Sequence, residues 1–229
     1  MNLKGLEESL ELTYIFSKPV LEKKSKQVSA NFNPKAKLNL KKIDPTLKSF
    51  SEKRLNEFIA GRICALKVIN EIVPFKTFLQ RGKDNLPLWP TEIVGSITHS
   101  GPYVSAAAAL RTDVLSLGID SEEIFDQKTA KDLVKEILNP DEKKFLSFHN
   151  FREIITLIYS AKESAFKALY PTYHIFLNFS DLKVESINFY EKTFEIALRK
   201  NKLCSNFLIK GKFQISSAYV YTGIEIPRI

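Results

Sequence analysis

The chain has 229 residues, 44% of them hydrophobic and 11% aromatic, with a formal net charge of +8. These are the proportions of a globular protein with a substantial core, divided into one large domain or two small ones. No apolar run reaches the ~20 residues a membrane span needs. Met1-Asn2-Leu3-Lys4-Gly5 lacks the apolar core of a secretory signal, and Cys64 and Cys204 have neither zinc nor redox spacing. A cytoplasmic protein is therefore expected.

In chain order, the excess charge comes early. Residues 18–48 hold nine lysines against Glu22 and Asp44, a balance of +7. Pro19, Pro34 and Pro45 make this stretch read as loop. A solvated surface is the plain reading, and a positive rim that draws an anionic partner is the sharper one. A nucleic-acid face is disfavoured, because the lysines lack interleaved aromatics and no recognition motif accompanies them. A helix is predicted from Ser51 to about Val73. Ser51 suits the N-cap, and Leu55, Phe58, Ile59, Arg62, Ile63, Leu66 and Ile69 keep helical spacing.

Residues 81–91 read as loop. Two short strands follow, Gly95–Thr98 and Tyr103–Leu110, with Gly101-Pro102 as the turn and helix as an alternative over Ala106–Ala109. Val114–Asp120 is an apolar strand ending in two carboxylates. Asp120 and Glu122 are two apart, so a strand places both on one face. Helices are predicted at 128–138, 141–148 and 152–170, punctuated by Pro140 and Pro171. In the last of these Glu163 and Lys167 are neighbours on one helical face. The final fifty residues alternate apolar and polar positions, as in Phe194, Ile196 and Leu198, and read as antiparallel strands. Helices and strands without a regular strand–helix–strand rhythm make the fold α+β.

Three motifs stand in order: Trp89-Pro90-Thr91-Glu92-Ile93-Val94-Gly95-Ser96-Ile97-Thr98-His99-Ser100, then Gly118-Ile119-Asp120-Ser121-Glu122, then Tyr159-Ser160-Ala161-Lys162-Glu163-Ser164-Ala165-Phe166-Lys167-Ala168. Together they resemble the 4'-phosphopantetheinyl transferases of the enterobactin-synthase type, from about Arg54 to Asp181. The resemblance implies two similar α+β halves about a pseudo-twofold axis, residues 1–115 and 116–229 in one compact unit, with the active site between them. It also implies a monomer that moves the phosphopantetheine arm of coenzyme A to a serine of an apo acyl or peptidyl carrier protein, with no nucleic acid or membrane partner.

The resemblance implies roles for individual residues. Asp120, Glu122 and Glu163 would hold Mg2+, with Mn2+ as the alternative. Oxygen ligands suit such a hard cation, which would bridge the phosphates. Glu163 would be the third ligand or the base that takes the serine proton. Lys167 would contact phosphate, although an i,i+4 pair with Glu163 also fits the spacing. Ser96 and His99 would grip coenzyme A phosphates. Three apart, they face opposite ways on a regular strand, so the chain is expected to turn near Thr98.

Arg62 and Arg81 would bind the 3'-phosphate through their planar forks. Arg54 lies eight residues before Arg62, about 12 Å along a helix, so it is a neighbour of that spot, and a solvated helix charge is an equal alternative. Trp89, the only tryptophan, reads as a core anchor, and Lys162 is left without a role. The rival reading is a non-catalytic module that binds nucleic acid or another polyanion through the 18–48 lysines.

Overall fold

A computed structural model describes residues 3–15, 20–22, 24–38, 47, 49–82, 85–147, 150–199 and 208–228. A short helix α1 (Leu3–Ser9) and strands β1 (Thr13–Ile15) and β2 (Lys26–Asn31) precede the long helix α2 (Glu52–Asn70). Then come β3 (Ile93–Ser100), β4 (Tyr103–Leu110) and β5 (Val114–Glu123), followed by helix α3 (Gln127–Ile137), a 3-10 segment (Pro140–Ser147) and helix α4 (Phe151–Tyr173). Strands β6 (Leu182–Asn188), β7 (Thr193–Leu198), β8 (Leu208–Ile215) and β9 (Tyr219–Pro227) complete an α+β fold.

The strands form two antiparallel sheets, ordered β1-β2-β4-β3 and β5-β9-β8-β7-β6. One topology occurs twice. A strand leads through a long helix to a later hairpin, and the second hairpin strand pairs with the first strand. This describes β2, α2, β3 and β4, and again β5, α4, β8 and β9. Each long helix covers its own sheet. Ile59, Ile63 and Ile69 of α2 pack with Val104, Ala106 and Ala108, while Ile154, Leu157 and Ile158 of α4 pack with Phe194, Phe213 and Ile224.

Between the halves lies a third apolar layer. Ala107 and Ala109 of β4 meet Val94, Leu117 and Ile119 there. Strand β4 is thus buried on both faces, and its alanine run lets α2 and the second sheet approach it from opposite sides. Helix is not formed at Ala106–Ala109.

Three expectations change. The segment 18–50, read as loop, contributes β2, which pairs with β4 along its whole length. The stretch 141–148 forms a tighter 3-10 segment. Pro171 does not end α4, which runs on to Tyr173 before His174 turns it off at φ 51°. In the last turn the missing proline N–H costs one bond only, so the helix tolerates it. Of the lysine-rich stretch, Lys24, Lys26, Lys35 and Lys37 are described. Lys18, Lys23, Lys41, Lys42, Lys48 and Asp44 lie outside the described residues, as does Cys204.

Candidate active site

The halves meet where β3 lies against β5, and side chains rather than backbone bind this seam. Strand β5 is the edge of its sheet, so every second N–H points away from β9. Three hydroxyls of β3 take up those donors. Ser96 Oγ accepts from Ile119 N at 3.1 Å, Thr98 Oγ1 from Ser121 N at 3.1 Å, and Ser100 Oγ from Glu123 N at 3.0 Å. Strand alternation puts all three on one face. The expected turn near Thr98 is absent, since β3 continues to Ser100. Ser96 is buried, and its hydroxyl serves the seam instead of facing the same way as His99.

On the second half, the spacing of Gly118 and Asp120 decides the geometry. A Cβ on Gly118 would stand 2.1 Å from the Ser164 carbonyl oxygen and 2.6 Å from Ala168 N. Bare glycine and small residues therefore let α4 lie directly on β5. The same face then presents Asp120 and Glu122 towards Glu163 and Lys167. Lys167 Nζ reaches across to Asp120 Oδ1 at 2.6 Å, an inter-element pair in place of the i,i+4 pair with Glu163. Thr98 Oγ1 donates to the same oxygen at 3.3 Å. Asp120 is 4% exposed, and its Oδ2 is buried without a hydrogen-bond partner.

Burial, then the Asp120 charge, pushes the Glu122 carboxyl up to about 8, even with Lys167 near and Ser100 at 3.5 Å. Burial also raises the Glu163 carboxyl, with Lys167 opposing and Asp120 reinforcing the shift. Among the described residues no group of three His, Cys, Asp or Glu side chains is arranged as a metal site. The ammonium of Lys167 occupies one Asp120 oxygen. The donor set nevertheless suits a hard cation: oxygen ligands only, and a buried Asp120 oxygen with no partner.

Facing these acids from the first half is a basic corner. Gly61 packs α2 against Ile97 of β3, where an added Cβ would lie 2.8 Å from Ile97 Cγ2. Two turns earlier on α2, Arg54 Nη1 lies 2.7 Å from His99 Nε2 and 3.3 Å from Glu57 Oε2. His99 is held below its usual pKa by burial, with Arg54 and Lys167 adding to the effect and Glu57 and Asp120 opposing it. Arg54 is thus an exposed helix charge that also contacts His99 and Glu57.

Arg62 is buried. Its Nε donates to Leu79 O at 3.1 Å, and its guanidinium stacks 3.5 Å above Phe58. Burial, with Arg54 and Arg81 nearby, pulls Arg62 down to about 10. Arg81 lies over Phe50 at 5.2 Å. Arg62 therefore anchors the loop that carries Arg81 as well as adding charge to the corner. Trp89 packs over Gly95, as a core anchor should, and lines a cleft of about 210 Å³ with Phe166, Lys167 and Tyr170 between the halves.

Sequence reading missed Lys162. It is fully buried, and Nζ donates to Ile137 O (2.6 Å), Glu142 Oε2 (2.7 Å) and Phe179 O (3.2 Å). Glu142, equally buried, also accepts from the N–H groups of Asn139 and Val184. The pair locks the helix bearing Glu163 and Lys167 to the second sheet. Its only sequence signal was charge inside an otherwise small, apolar helix face.

Family comparison agrees with this geometry. Residues 44–109 match the 4'-phosphopantetheinyl transferase N-terminal domain, and residues 116–221 match the 4'-phosphopantetheinyl transferase superfamily. The chain belongs to the 4'-phosphopantetheinyl transferase superfamily. Among its superfamily relatives, enterobactin synthase component D of Escherichia coli (strain K12) is 39% identical over 124 residues, covering 53% of this chain and 58% of that protein. The 4'-phosphopantetheinyl transferase Svp of Streptomyces mobaraensis is 33% identical over 136 residues, 58% of this chain and 54% of that protein. The 4'-phosphopantetheinyl transferase Npt of Nocardia iowensis is 30% identical over 134 residues, 58% of this chain and 60% of that protein. The matches thus span somewhat more than half the length of these relatives. No helix among the described residues is long and apolar enough to cross a membrane.

Proposed function

We propose that this chain transfers the 4'-phosphopantetheine arm of coenzyme A to a serine of an apo acyl or peptidyl carrier protein. The observation that carries the reading is the meeting of buried carboxylates and Lys167 with the Arg54–His99 corner across one seam, in a chain whose two halves both match transferase models. The carrier serine oxygen forms a bond to the phosphopantetheine phosphorus, and the bond to the bridging pyrophosphate oxygen breaks. Adenosine 3',5'-bisphosphate leaves. The serine proton passes to Glu163, whose raised proton affinity suits a general base.

Asp120, Glu122 and Glu163 are the residues that would hold Mg2+ or Mn2+. A bound divalent cation would neutralise charge on the phosphate oxygens. Lys167 contacts the transferred phosphate, and Arg54, Arg81 and His99 face the nucleotide end, with Arg62 bracing them. The protein works as a cytoplasmic monomer, its site shared by residues 1–115 and 116–229, without nucleic acid or membrane. The test is incubation with coenzyme A, magnesium chloride and a panel of apo carrier proteins, read as intact mass. A phosphopantetheine adduct on one carrier serine is expected. No adduct on any carrier, with coenzyme A shown to bind, would overturn the reading.

A further inference from the structure

We propose that Glu57 is the positioning residue of the basic corner: it aims Arg54, whose guanidinium in turn fixes His99 in one tautomer, so that both stand ready for the 3'-phosphate of coenzyme A. The identity of that phosphate rests on the transferase reading, and the dyad itself rests on geometry. A guanidinium has only donors, so at 2.7 Å from Arg54 Nη1 the His99 Nε2 must accept. The ring hydrogen of neutral His99 is therefore on Nδ1. That nitrogen faces Glu57 Oε2 at 3.7 Å, and the same oxygen takes Arg54 Nη1 at 3.3 Å.

Glu57 stands one turn from Arg54 on the inner side of α2, and its side chain is only 11% exposed, where a helix surface acid is normally solvated. Its other oxygen is 3.9 Å from Lys53 Nζ. From other elements, Lys167 and Asp120 also face His99 electrostatically, one cationic and one anionic. Glu57 thus offsets the mutual repulsion of the arginines when no ligand is present. A carboxylate repels phosphate, so Glu57 acts through its two partners and not by contact. When phosphate enters, the Arg54 fork turns to it and releases His99 Nε2, and the Glu57 charge favours the cationic ring whose Nε2–H then donates.

The experiment uses the full chain labelled with 15N histidine. There are only three histidines, His99, His149 and His174, and a His99→Gln variant assigns the signal. Wild type is expected to have His99 protonated on Nδ1, and Glu57→Leu to populate the Nε2–H form that an unrestrained imidazole favours. In parallel, calorimetry compares coenzyme A with 3'-dephospho-coenzyme A. Glu57→Leu should weaken coenzyme A roughly 10-fold, the size of one charge-assisted contact, and the dephospho form less than about twofold. In an Arg54→Ala, His99→Ala background Glu57→Leu should add no further loss.

If Glu57→Leu does not fold by circular dichroism, Glu57→Gln takes its place, with a selective loss of at least about threefold expected for coenzyme A. An unchanged tautomer, or equal losses for both ligands, overturns the proposal. A wild-type chain that fails to bind coenzyme A at all would instead refute the transferase reading, and the tautomer measurement would still decide the role of Glu57.

Discussion

Lys162→Met should destabilise the protein by about 3–5 kcal/mol, the cost of leaving one member of a buried ion pair alone. The contacts of the pair account for a cost of that kind. Methionine matches the length and apolar stem of lysine, so little cavity forms. What is lost is the ammonium that bonds Glu142 Oε2 and the carbonyls of Ile137 and Phe179. Glu142 keeps its bonds from Asn139 N and Val184 N, which moderates the loss, but its charge stays fully buried with no cation beside it. Urea denaturation followed by circular dichroism measures the change. Combining Lys162→Met with Glu142→Gln removes the orphan charge and should restore a substantial part of it. A loss under about 1 kcal/mol for the single variant would show that the pair does not hold α4 in place, and would refute the reasoning.

Other substitutions probe the site itself. Asp120→Ala should abolish transfer while leaving the unfolding midpoint within a few degrees of wild type. Near-normal turnover at saturating magnesium would sink the ligand role of Asp120. Gly118→Ala should unseat α4, because its Cβ would meet backbone at Ser164 and Ala168, and should cost a few kcal/mol as overpacking does; a midpoint within experimental error of wild type would contradict the close approach. Glu122 has its folded pKa raised to about 8, so the folded state binds a proton more tightly than the unfolded one. The contribution of Glu122 to stability should be fully present below the ordinary glutamate range and be lost as pH climbs towards 8, and Glu122→Gln should remove that part of the slope. Melting temperatures at pH 5 and pH 8 check the sign.

Much of this architecture is legible in the sequence. Helix α2 and strands β3 to β5 follow from period and punctuation, and Asp120, Glu122 and Lys167 do meet on one face because alternation and helical spacing dictate it. Strand β2 was not legible. Its Lys26–Asn31 sequence is mostly polar, and only its pairing with the alanine strand makes it a strand. Nor was the assignment of Ser96 recoverable, since a hydroxyl that binds a ligand and one that closes a strand edge look alike in sequence. Lys162 and Glu57 share that difficulty. Each is a charge whose partner sits on another element, and single-sequence periodicity carries no information about such pairs.

The hydroxyl seam also bears on what happens when the two halves are separated. Ser96, Thr98 and Ser100 act as a removable selvedge along β5, capping a row of amides that would otherwise accept any extended chain. Cut between β4 and β5, the second half would display that row to solvent together with the apolar face of Leu117 and Ile119. Such an edge is a template for intermolecular sheet growth. The fold thus ties solubility to keeping both halves on one chain, with three small side chains standing between the candidate site and a sticky strand.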